Sequence, residues 1–161
     1  MARANRKEAP SRVILDANIL VILAYGAVDR ASLGSKRRVR EYMPEDFDIA
    51  AGLVGRFRQA VVTPNVVTEC SDLFSDDADA REKAWLKAFL DAKDAVRVEE
   101  YVPSRDAADL AQYERLGIAD CSLLSLIDDD TVLLTTDAKL YDAGARINPL
   151  CMNFHHFRNF T

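Results

Sequence analysis

Four acids in this 161-residue sequence stand at positions where chemistry is commonly found. Asp16 directly follows the apolar run Val13-Ile14-Leu15, and Asp137 follows Val132-Leu133-Leu134 and the pair Thr135-Thr136. Glu69 lies within two turns of Thr63-Pro64, a pair that suits a helix start, with Thr as N-cap and Pro at the first helical position. Asp120 comes three residues after Gly117, where an apolar stretch begins. Carboxylates suit hard divalent cations, which take oxygen ligands and disfavour thiols. Such ions activate water, offset charge on a phosphoryl group and assist a leaving oxygen. The chemistry open to a cluster of these four acids is therefore metal-assisted chemistry at a phosphoryl centre.

Each acid also has a plainer role. Asp is a favoured N-cap and is stabilising in the first turn of a helix. Glu69 taken alone reads as a solvated side chain, and so does Lys139 beside Asp137. Caps alone, however, have no reason to converge on one place. Other chemistries find less support. His155 and His156 are adjacent; on a strand they would point to opposite faces and could not share one metal. Cys70, Cys121 and Cys151 are widely spaced and odd in number, which suggests neither a zinc site nor a disulfide framework. Reduced cytoplasmic thiols are the simple reading.

The acids need elements to position them. Residues 12–15 read as a buried strand, 18–27 as a helix, and 29–43 as a polar, basic connection broken at Gly34 and Ser35. Residues 45–59 read as a second helix, 60–62 as a second strand, and a helix carrying Val66, Val67, Glu69 and Leu73 follows Thr63. Residues 77–93 read as an acidic helix burying Trp85, Leu86, Phe89 and Leu90. A weak third strand spans 96–98. Ser104 starts a helix that Gly117 ends as a C-terminal cap, and 118–127 is again helical. A fourth strand spans 131–134, a short helix runs to Gly144, and 151–154 reads as a last strand. Strands alternating with helices imply a three-layer α/β/α fold with a central parallel sheet. In such sheets ligands gather beyond the carboxyl ends of the strands, where Asp16 and Asp137 stand.

Bulk composition is compatible with this picture. The chain fits one domain, with 49% hydrophobic and 29% charged residues. Residues 1–11 are polar and basic without an apolar core, and read as a flexible tail rather than a signal peptide, leaving 12–161 as the domain. No apolar run approaches the ~20 residues that span a bilayer, so no membrane is expected. A net charge of −5 disfavours a protein that coats nucleic acid by charge alone. It leaves room for an enzyme whose carboxylates are neutralised by cations.

The motifs also resemble a known family. Val13-Ile14-Leu15-Asp16-Ala17-Asn18-Ile19-Leu20 is similar to the opening motif of PIN-domain nucleases. Thr63-Pro64 with Val67-Thr68-Glu69 resembles their second motif, and Gly117-Ile118-Ala119-Asp120-Cys121-Ser122-Leu123-Leu124 their third. Leu133-Leu134-Thr135-Thr136-Asp137-Ala138-Lys139-Leu140 resembles the fourth, and Asn153-Phe154 with Phe157-Arg158 the closing strand. The resemblance implies a PIN-like fold and an endonuclease dependent on Mg2+ or Mn2+, usually acting on RNA. It implies Asp16, Glu69, Asp120 and Asp137 as metal ligands and catalytic residues, with Asn18 and Thr136 as polar helpers. The size suits a toxin-like ribonuclease held silent by an antitoxin protein. A non-toxin RNA-processing or DNA nuclease, an inactive PIN-like binding module and a homodimer stay open. Ala17 stands where the family commonly has a small hydroxyl residue.

Two other acid-at-strand-end families fit less well. A haloacid-dehalogenase-type phosphatase wants a second Asp where Asn18 stands. A receiver-like domain pairs two adjacent acids, and none precede Asp16. Finally, an acidic pocket repels phosphates at long range and needs a local positive patch. The run Ser35-Lys36-Arg37-Arg38-Val39-Arg40 is the densest basic cluster outside the tail. Lys36, Arg37, Arg38 and Arg40 are the expected nucleic-acid contacts, with a solvated helix face or a partner surface as the alternative.

Overall fold

The computed structural model of the chain describes residues 9–75, 77–92 and 95–158. Its centre is a five-stranded, all-parallel sheet in the order β3-β2-β1-β4-β5: Arg97–Glu99, Gln59–Val62, Arg12–Leu15, Thr131–Thr135 and Met152–Asn153. Val13 pairs with Ala60 on one side and with Val132 on the other. The chain lays down β1, β2 and β3 outward in one direction. It then returns to place β4 and β5 on the opposite side of β1. The order therefore reverses between β1 and β4, the crevice where ligands collect in open parallel sheets.

Helices make the outer layers of a three-layer α/β/α arrangement. The first, α1 (Ala17–Val28), is apolar all round, and Ile19 through Gly26 are all buried. A helix of that kind belongs inside the fold: it packs against α2 (Pro44–Val54), α3 (Pro64–Leu73) and α4 (Ala80–Asp91). Gly26 permits a close approach to α2, since a Cβ there would overlap the Phe47 ring. α6 (Tyr113–Leu124) packs against α5 (Ser104–Ala108) and α7 (Ala138–Ile147).

Several boundaries differ from the sequence expectation, each for a tertiary reason. The second helix stops at Val54 rather than Gln59, because Gln59 joins the sheet opposite Arg12 and hydrogen-bonds its guanidinium. The helix expected over 104–117 is broken between Ala108 and Tyr113. The break lets Ala107 and Leu110 pack with Val102 and Cys121 in a small second apolar cluster. Gly117 does mark a break, with φ of +83°, a conformation other residues seldom adopt. α4 starts at Ala80 behind an Asp79–Glu82 capping box, and Leu90, expected inside, is exposed. The last strand is only Met152–Asn153. His155 and His156 lie in a following 3-10 turn, not on a strand, and His156 meets the Tyr141 ring edge-on.

Of the expected tail, Met1–Glu8 lie outside the described residues. Ser11 is tied in: its N–H and hydroxyl donate to Asp130, and its carbonyl accepts from the N–H groups of Arg58 and Gln59. Among the described residues no helix is long and apolar enough to cross a membrane.

Candidate functional site

Asp16 is buried at the carboxyl end of β1. One carboxylate oxygen, Oδ1, accepts the N–H of Ile19 at 2.8 Å and so caps α1. The other, Oδ2, faces β4: it accepts the N–H of Thr136 at 3.0 Å and a hydrogen bond from the Thr135 hydroxyl. Asp137 in turn caps α7, accepting from the N–H groups of Lys139 and Leu140 at 2.7 and 2.9 Å. The capping role and the clustered role thus hold together for both residues.

Glu69 and Asp120 arrive on α3 and α6. These helices are locked by a buried contact of 3.0 Å between the Thr63 and Ser122 hydroxyls. Thr63 also caps α3, and Ser122 donates to the carbonyl of Ala119. All four acids line one small cavity of about 110 Å3, walled also by Ala17, Asn18, Val66 and Leu123. The cavity sits at the reversal of strand order. Lys139 is exposed, as expected of a solvated residue.

The electrostatics follow from this crowding. Asp120 is pushed up to about 7, first by desolvation and then by Asp137, Glu69 and Asp16. Asp16 is raised chiefly by burial, against the opposing hydrogen bonds from Thr135, Ile19 and Thr136; Asp137 adds to the rise. Glu69 is exposed at the surface, yet it is raised by loss of solvent and by Asp16, while the Arg38 guanidinium draws it back down. Burial likewise pushes the Cys70 thiol, on the inner side of α3, up to about 12, which leaves it neutral and inert.

Among the described residues no group of three or more His, Cys, Asp or Glu side chains stands in an arrangement that could hold a metal ion. Mg2+ retains several waters and binds through one or two carboxylates rather than a closed protein cage. An open, oxygen-lined cavity with a carboxyl group near neutrality fits that kind of ion, and the buried thiols of Cys70 and Cys121 take no part in its lining.

The helpers are distributed differently from the sequence expectation. Asn18 lines the cavity and accepts a hydrogen bond from Arg38. Thr136 contributes its backbone N–H to Asp16. The side-chain bridge comes from Thr135, which donates to Asp16 and accepts the N–H of Asp137 at 2.9 Å. A hydroxyl at the end of an apolar strand was the available signal for it. Tyr42 was also missed. It is buried and feels Asp16, and its ring lies under Arg158, which is paired with buried Asp46. Nothing in its local sequence marks it.

The basic run divides. Arg37 and Arg40 are exposed, whereas Lys36 turns inward to Glu82 at 2.8 Å and Arg38 reaches Asn18. Compared with protein-family models, with curated proteins and with solved structures, the chain finds no match.

Proposed function

We propose that this chain is a divalent-metal-dependent endoribonuclease, in keeping with its resemblance to PIN-domain nucleases. The observation that carries the reading is the lining of one cavity by Asp16, Glu69, Asp120 and Asp137 at the reversal of strand order. Mg2+ or Mn2+, when bound, would supply the activated water and the charge stabilisation for phosphodiester hydrolysis. Asp120, with its carboxyl near neutrality, is the group that gives up its proton to become a ligand. Asp16 is held in one orientation by Thr135, Thr136 and the α1 N-terminus, so that it enters the cavity pre-positioned. Asp137 is oriented by its α7 cap. Three buried free thiols support a reducing, cytoplasmic setting, and a small inhibitory partner protein belongs to the same reading.

The test is direct. Purified chain should cut end-labelled single-stranded RNA in Mn2+ and stop in excess EDTA, and Asp120→Asn should be inactive in both. Equal cleavage in chelator would overturn the metal mechanism. Cleavage confined to DNA would move the substrate assignment.

A further inference from the structure

The four cations between residues 36 and 40 do not have one common role. Lys36 Nζ sits 2.8 Å from Glu82, a fully buried carboxylate, 3.8 Å from Asp79 and 5.1 Å from the centre of the Tyr25 ring. It is engaged inside the fold. Arg37 and Arg40 are exposed. Arg38 is half-buried and held twice. Its backbone N–H donates to Asp77 Oδ2 at 3.3 Å, and the other oxygen of Asp77 takes the Tyr25 hydroxyl at 2.7 Å. Its Nη2 donates to Asn18 Oδ1 at 2.8 Å.

Asn18 lines the acidic cavity, so this hydrogen bond places a guanidinium at the cavity's edge. Yet among the described residues Arg38 is in ion-pair contact with no carboxylate. One of its five N–H donors is used on Asn18, which leaves most of a fork that matches phosphate geometry. A cavity of four acids in a chain of net charge −5 repels a polyphosphate unless a cation stands beside it.

We propose that Arg38 is the phosphate-binding residue of this cavity, holding the backbone of single-stranded RNA against the acidic rim, while Lys36 anchors the segment that presents it. This rests on the nuclease reading above. Glu69, which also lines the cavity, feels the positive charge of Arg38.

Binding of an end-labelled single-stranded RNA of mixed sequence, followed by anisotropy over a KCl series, tests the proposal. An Asp120→Asn background keeps the RNA intact. Adding Arg38→Ala should raise Kd on the order of tenfold, the loss of one charge-assisted hydrogen bond. The log–log salt slope should fall by roughly 0.7. Arg38→Lys should restore the slope but only part of the affinity, because a point charge replaces the fork. Arg37→Ala combined with Arg40→Ala should raise Kd less than Arg38→Ala does. Calorimetric titration of chains with Asp120 intact should still show Mn2+ uptake after Arg38→Ala, because the four acids that line the cavity remain. Absence of Mn2+ uptake, or of metal-dependent cleavage, defeats the nuclease reading; the role of Arg38 is judged on RNA affinity alone. Unchanged Kd and slope in Arg38→Ala, or no RNA binding by the parent, overturns it. So does an Arg38→Lys variant as weak as Arg38→Ala with a lowered melting temperature, which would mark a structural role only.

Discussion

The Thr135 hydroxyl, at the end of β4, donates to the carboxylate of Asp16, at the end of β1. The same oxygen accepts the N–H of Asp137. One small side chain therefore ties together two acids that lie 121 positions apart in the sequence. Thr135→Val keeps the shape and removes the bridge. It should lower stability by about 1–2 kcal/mol, because a buried carboxylate loses a donor. Mn2+ affinity should fall with it, since Asp16 is no longer held in place. Urea unfolding and calorimetric titration measure the two effects, and wild-type values in both would show that the bridge is dispensable.

Asp16→Asn should keep the fold at a cost of about 1–3 kcal/mol: Asn can still cap α1 by accepting from Ile19, but its NH2 then faces the Thr136 N–H, which loses its acceptor. Asp16→Ala removes the cap as well and should cost about 1 kcal/mol more. Both should abolish cleavage. Circular dichroism melting alongside an RNA cleavage assay separates the two roles. An Asn variant that retains activity would leave Asp16 as a cap alone.

Asp120 makes stability depend on pH in a definite direction. Its folded pKa of about 7 lies above the ordinary 3.8, so between those values the folded chain keeps a proton that the unfolded chain has lost. The stability this contributes is fully present below about pH 3.8 and is lost as pH rises through about 7. In EDTA, Asp120→Asn should therefore flatten the fall in melting temperature over that window and be more stable than the parent above it. Mn2+ affinity of the parent should rise over the same window as the competing proton leaves. A melting profile identical in shape for both chains would remove Asp120 from the cluster.

Lys36→Met should destabilise the chain by about 3 kcal/mol, since it leaves Glu82 charged, buried and unpaired. Glu82→Gln should be milder, because the amide oxygen can still accept the Asp79 N–H and complete the α4 capping box. Urea unfolding of the two variants gives the comparison. A Lys36→Met chain as stable as the parent would show that the basic segment does not depend on this pair.

Much of the fold was legible because its signals are local. β1 was readable from Val13-Ile14-Leu15 and the start of α3 from Thr63-Pro64, since burial and capping are properties of a few adjacent residues. Asp16 and Asp137 were legible because each follows an apolar strand and caps the next helix, whereas Glu69 and Asp120, inside α3 and α6, were legible through the motifs they belong to. The end of α2 was not, because a strand partner in β1 takes Gln59, and no local pattern encodes a partner 47 residues away.

What the sequence by itself determined was the alternation of strands and helices, and hence a parallel sheet with acids at its carboxyl ends. Only the tertiary structure decided the strand order β3-β2-β1-β4-β5, and with it the reversal beside β1 that brings Asp16 next to Thr135 and Asp137. It also assigned the cations. Lys36 and Arg38 are near-identical in a list of charges, but a buried Glu82 claims the first and Asn18 receives the second. Pairing of this kind is set by which surfaces meet in space, through interactions that act over a few ångströms and take no account of separation along the chain.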